Sequence, residues 1–140
     1  MTVVQLSIAS DQPPAFHYEV GQRLGALRDE SIMIVGSGNI VHNLGRYAWN
    51  REATSPYSWA ERFDAQVRDS LVRGEDDSLV DYDSLGEDAR LSIPTPEHYL
   101  PLLYVAGSRH DTDRVTFPTD GIEGGSVSML SVLLESRRGD

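Results

Sequence analysis

Cysteine is absent from the 140 residues, and so is lysine: all 12 basic side chains are arginines. Without thiols the chain has no disulfide, no thiolate nucleophile and no cysteine-ligated metal. No apolar run approaches the roughly 20 residues that a membrane-spanning helix needs. Met1-Thr2-Val3-Val4 lacks the basic stretch that opens a signal peptide, so a cytoplasmic location is expected. Against the arginines stand 22 carboxylates, a formal net charge of -10. Such a surface repels phosphate backbones and argues against nucleic acid as a partner. A lysine-free acidic composition suits a halophile's high-salt cytoplasm, where salt screens the self-repulsion, or a GC-biased genome; composition leaves both open.

What is present reads as a globular domain, 39% hydrophobic and 24% charged, long enough to bury roughly two-thirds of its unfolded surface. Val3 to Ile8 is a short β-branched apolar run, expected as a buried strand. Asp11 and Pro13-Pro14 open a helix whose apolar face is expected at Phe16, Val20, Leu24 and Leu27. Ile32 to Val35 is a second strand, closed by Gly36-Ser37-Gly38. Strand, helix and strand in this order predict a βαβ unit with parallel strands. After a loop over Asn43 to Thr54, Ser55 as cap and Pro56 at the first position predict a helix with a buried stripe of Trp59, Phe63, Val67 and Leu71, ended by Gly74. The seven carboxylates between Glu75 and Asp88 read as a solvated surface around a short helix. Thr95 and Pro96 start another helix, which Pro101 should distort. Val115 to Phe117 and Ser126 to Leu134 are the last strands, the latter apolar on both faces and expected in the interior. The fold class expected is α/β, a mostly parallel central sheet with flanking helices, over residues 1–134; Glu135 to Asp140 is expected to fray.

Chemistry concentrates on histidine. His42 stands near the end of the segment Gly36-Ser37-Gly38-Asn39-Ile40-Val41-His42-Asn43, which follows the carboxyl end of an expected parallel strand, where open α/β sheets bind ligands. The Gly-x-Gly element lacks the third glycine of a dinucleotide loop and the Gly-Lys-Ser/Thr of a P-loop. Ser37, in Gly-Ser-Gly, lacks the five-residue nucleophile-elbow pattern. His98 sits in the first turn of its helix, from which a side chain can reach a cleft. His17 reads as local structure and His110 as an exposed loop residue. Imidazole is both a ligand for iron or zinc and an acid–base group near pH 7. Two histidines fall short of the three or four protein ligands of a stable site; Glu97 or Glu123 is a candidate carboxylate.

The chain resembles the class III extradiol ring-cleavage dioxygenases of LigB type, in the DOPA dioxygenase-like branch. The resemblance rests on Val4-Gln5-Leu6-Ser7-Ile8, Gly25 to Glu30, Gly36 to Leu44, Asn50 to Trp59, Pro94-Thr95-Pro96-Glu97-His98 through Tyr104, Gly121-Ile122-Glu123 and Gly125 to Met129, in order along nearly the whole chain. It covers the carboxyl-terminal half of the family's chain. It implies a non-haem Fe(II) or Zn(II) centre that binds a catechol-type substrate through both hydroxyls and admits O2. It makes His42 a metal ligand or the acid–base group and His98 a further active-site histidine, plausible as a ligand. The family's other two active-site histidines belong to a Gly-His-Gly loop and a Ser-x-His loop of the amino-terminal half; no Gly-His-Gly occurs here. Three outcomes are therefore open: a dioxygenase part completed by an amino-terminal partner polypeptide, an inactive remnant, or a stand-alone α/β binding module without redox chemistry. Half of a parallel sheet would leave an unpaired edge and a bare apolar face, so self-association or marginal stability is expected of the isolated chain.

Overall fold

Glycine decides how closely two of the helices approach. In the computed structural model, which describes residues 2–50 and 55–136, helix α1 (Pro14–Leu24) crosses helix α5 (Leu100–Gly107) with Gly21 against the backbone of Tyr104 and Gly107 against the backbone of Tyr18. A Cβ at either glycine would collide with a main-chain carbonyl oxygen, so only hydrogen at these positions lets the two backbones meet. Pro14 stands at the start of α1, where its missing N–H costs no helical bond. The buried side of α1 is His17 and Gly21, continued by Gly25 in the 3-10 turn Gly25–Glu30. The expected face is displaced: Phe16 is exposed, and Val20, Leu24 and Leu27 are half-buried. Hydrophobic spacing identified a face that could be covered, whereas the glycine crossing set the one that is.

Helix α2 (Ser58–Arg73) buries Phe63, Val67 and Leu71 completely, as its spacing predicts, with Trp59 half-buried. It starts after Tyr57 rather than at Ser55, with no side-chain cap, and ends at Gly74 in the left-handed conformation (φ 70°) that glycine adopts without steric cost. The acidic stretch forms α3 (Asp76–Val80), a 3-10 turn (Tyr82–Leu85) and the start of α4 (Glu87–Ser92). Leu79, Tyr82 and Ala89 reach inward from it and join Val41, Phe63, Tyr99, Leu100 and Leu103 in the core. Pro101 has its effect at a boundary. The turn Pro96–His98 ends before α5 begins at Leu100, and Pro101 falls in the first turn, where helices tolerate it.

The sheet expectation is corrected. The strands β1 (Asp113–Thr116), β2 (Ile122–Glu123), β3 (Val127–Ser128) and β4 (Leu133–Ser136) form two antiparallel pairs, β1 with β4 and β2 with β3. No parallel pair occurs among the described residues. Residues 3–8 and 33–38 make no backbone–backbone hydrogen bond there, because no neighbouring strand is present to form a ladder with them. The mixed α/β character stands, mostly helical. The run Ser126 to Leu134 is likewise not one interior strand: it contributes to β3 and β4, and Met129 and Leu133 are exposed. Glu135 and Ser136, expected to fray, pair with Arg114 and Asp113; residues 137–140 lie outside the described residues, as do residues 51–54 of the expected loop.

A charged clamp holds β1 to the helices. Arg28 grips Asp113 with both terminal nitrogens, at 2.5 and 3.0 Å, and donates to the carbonyl of Ser108 at 2.7 Å. The Asp113 side chain is fully buried and that of Arg28 nearly so. Burial alone would raise the Asp113 carboxyl; the Arg28 hydrogen bonds, the His110 N–H and the adjacent charge outweigh it and hold the group below the usual carboxylate range.

Candidate functional site

The segment carrying His42 is fastened by main chain on both sides. Its own N–H donates to the carbonyl of Ser92 at 2.9 Å, and it bridges antiparallel to Val127 of β3. The N–H of Ser128 donates to the carbonyl of Val41 and that of Asn43 to Ser126. Ile40 and Val41 are buried beneath, so the preceding residues anchor the backbone while the histidine side chain is left half-exposed. Two asparagines finish the attachment: Asn39 donates from its amide to the carbonyl of Ser128 at 2.8 Å, and Asn43 to that of Leu91 at 2.7 Å.

His98 reaches the same place from the other side. The N–H of Asn39 donates to the His98 carbonyl at 2.8 Å, and a Cβ on Gly38 would collide with that oxygen. Gly36 is similarly pressed against the carbonyl of Pro101. The Gly-Ser-Gly element thus serves the close approach of its strand to the start of α5. Thr95, expected as a side-chain cap, instead gives its hydroxyl to the Glu97 carboxylate at 2.7 Å. That bond, followed by the Glu97 backbone contact, lowers the Glu97 pKa.

These attachments bring the two imidazoles face to face, ring centroids 3.6 Å apart and planes 17° from parallel. Burial, then the charge that His98 would carry, push the His42 pKa below the ordinary histidine value; Glu97 and a backbone contact offset part of this. His42 is therefore neutral at pH 7 and able to accept a proton.

The donor set falls short of a resident metal. No group of three or more His, Asp or Glu side chains suited to a metal ion occurs among the described residues. The lone pairs of stacked rings lie in nearly parallel planes and do not converge on one point. Glu97 and Glu123 are both exposed, and Glu123, on β2, is separated from His42 by β3. The other two histidines are structural. His17 is fully buried, its Nδ1 2.9 Å from the Tyr104 hydroxyl, and His110 is half-buried against the carbonyl of Gly25. A cavity of about 760 Å³ beside Tyr18, Asp76 and Arg109 contains neither His42 nor His98.

One supporting pair escaped the sequence reading. The Ser128 hydroxyl donates to Asp64 of α2 at 2.5 Å, and Arg68 binds the other oxygen of that carboxylate at 2.9 Å. The pair ties β3 to α2. Its sequence signal was an acidic residue beside Phe63, at the border of the buried stripe of α2.

Comparison with known proteins now gives this geometry its context. Residues 1–124 match the family described as the catalytic LigB subunit of aromatic ring-opening dioxygenase. The chain belongs to that family, the LigB class III extradiol dioxygenases, and to its DOPA dioxygenase-like branch. It is 52% identical over 133 residues to the 4,5-DOPA dioxygenase extradiol of Escherichia coli, covering 93% of this chain and 48% of that protein. To the protein of the same description from Beta vulgaris it is 29% identical over 126 residues, 90% of this chain and 46% of that one. The crystal structure of an uncharacterized Escherichia coli K12 protein superposes with a TM-score of 0.83 at 49% identity, over 90% of this chain and 52% of that chain. The chain spans about half the length of the relatives it matches.

Proposed function

We propose that this chain contributes the His42–His98 half of an extradiol ring-cleaving centre, which opens a catechol-type aromatic with O2 once an amino-terminal half supplies the remaining donors. The observation that carries the reading is the stacked imidazole pair, built on the glycine loop and the Thr-Pro-Glu-His turn within a LigB family chain. His98 would be one donor to the Fe(II) or Zn(II) of the completed centre. His42 is a second donor or the acid–base group; the near-parallel rings favour dividing these roles. As a neutral base His42 accepts a proton from a substrate hydroxyl, and as the resulting acid it returns one.

A second reading, an inactive remnant or an α/β binding module without redox chemistry, draws on the lack of a third donor among the described residues. Reconstitution separates the two. The chain is combined with the part of the Escherichia coli relative that it does not match, given Fe(II) and a catechol, and followed by absorbance of the ring-opened product. Turnover should appear only in the combination, and His42→Ala should slow it by roughly 100- to 10,000-fold. Turnover by the isolated chain, or none in a complex that takes up metal, would overturn the proposal.

A further inference from the structure

The cavity beside α1 and the end of α5, about 760 Å³ in volume, does not include the imidazole pair. Small-molecule sites fall in the range of about 300–1,000 Å³. Two charged groups in its wall are held with bonds left over. Arg109 and Asp76 each keep only 15% of the side chain exposed. Arg109 donates from Nη1 to the carbonyl of Leu71 at 2.8 Å, and Asp76 accepts the Tyr18 hydroxyl on Oδ2 at 2.8 Å. Burial, then that bond, push the Tyr18 pKa up to about 12, so the hydroxyl stays a donor.

What remains is Nε and Nη2 of Arg109 and Oδ1 of Asp76. All three atoms are enclosed and have no hydrogen-bond partner among the described residues. Nη2 and Oδ1 stand 3.5 Å apart, a charge contact longer than a hydrogen bond. A buried guanidinium and a buried carboxylate are costly to leave half-bonded. Neighbouring orphan atoms of this kind, on the wall of a cavity, mark a place for a small polar group.

The orphans define that group. Nε and Nη2 form the side-on fork of a guanidinium, which fits the two oxygens of a carboxylate. Oδ1 needs a donor and, as part of an anion, favours a cationic one. A carboxylate and an ammonium on one carbon meet both needs together. A plain anion would instead face Asp76, and a metal ion would face Arg109. The remaining lining has no excess of one sign: Arg73 and Arg114 stand against Asp29 and Asp111, while Asp113 is already engaged by Arg28.

We propose that this cavity is a binding site for a small α-amino acid, its carboxylate on the Arg109 fork and its ammonium on Asp76. Because the three atoms are enclosed, entry parts the two side chains and turns them toward the cavity that both line. The site is separate from the imidazole pair and does not depend on the half-site reading.

The full chain, isotope-labelled for NMR, is titrated with L-alanine, with propionate, which lacks the ammonium, and with ethylamine, which lacks the carboxylate. Saturable shifts are expected for L-alanine at the amides of Gly74, Gly107 and His110, which line the cavity. Either analogue should bind about tenfold or more weakly, the loss expected for one charged hydrogen-bonded contact. Asp76→Asn keeps the side chain's size; it should weaken L-alanine by a similar factor and leave propionate as tight or tighter. Arg109→Lys should weaken both. The analogues need no variant, so the comparison among the three probes decides even where a substitution prevents folding. No shift with L-alanine at these amides, equal affinity for the three probes, or shifts centred on His42 and His98 would overturn the proposal.

Discussion

Asn39 and His98 are joined main chain to main chain, the N–H of Asn39 donating to the carbonyl of His98 at 2.8 Å, with Gly38 packed beneath the same oxygen. This one contact brings together two motifs 59 positions apart in the chain. The facing imidazoles of His42 and His98 follow from it, since each ring is carried by a short segment whose backbone is already fixed.

Gly38→Ala is therefore expected to disturb the site by volume alone. Its Cβ would fall on the backbone oxygen of His98, which cannot rotate away as a side chain would. Overpacking of this kind costs about 1–3 kcal/mol. Urea unfolding should show that loss, together with changed imidazole resonances for His42 and His98. A variant as stable as the parent, with unchanged histidine spectra, would disprove the contact.

The stacked pair also makes a titration prediction. By NMR, His42 should titrate below an ordinary histidine, because burial and the neighbouring His98 both disfavour its cation. His98→Asn should raise the His42 midpoint by removing a like charge, and Glu97→Gln should lower it by removing an attractive one. A histidine depressed in this way binds its proton more readily when unfolded. Its stabilising effect is full above the unfolded value of about 6.5 and is lost as pH falls below it.

At the Arg28–Asp113 clamp the same linkage acts at lower pH. The folded carboxyl is depressed, so its contribution is present above the unfolded pKa of about 3.9 and is lost as pH falls through the folded value. Asp113→Asn should cost about 1.5–3 kcal/mol near neutral pH, the range for hydrogen bonds to charged groups. The difference between variant and parent should shrink on acidification. Paired denaturant curves across the acid range test this, and a gap independent of pH would contradict it.

On β3, Ser128→Ala leaves an oxygen of the buried Asp64 carboxylate without its donor. A loss of about 1–3 kcal/mol is expected, with faster exchange of the Ser128 amide, whose N–H donates to the Val41 carbonyl. Unchanged exchange there would mean that Asp64 does not support the strand that holds His42.

Legibility followed the range of the forces involved. The buried stripe of α2 was readable from Phe63, Val67 and Leu71 because helical periodicity is local, and the end at Gly74 because a left-handed turn favours glycine. The start at Ser55 was not readable that way. The backbone N–H of Tyr57 bonds instead to the carbonyl of Gly125, 68 positions along the chain, and the helix begins beyond it. The face of α1 was misplaced for a related reason. Apolar spacing cannot reveal that Gly21 and Gly107 let two backbones touch, nor that no sheet covers the expected stripe among the described residues.

By itself the sequence determined the chemical vocabulary: no thiols, two histidine motifs and the family signature around them, all properties of residue type and short spacing. That Asn39 and His98 meet, that His42 and His98 stack, and that residues 3–8 and 33–38 have no ladder partner among the described residues were decided only in the tertiary structure. Contacts between distant segments depend on which backbones can approach and which strands are present to pair, and neither condition is written in any local stretch of the chain.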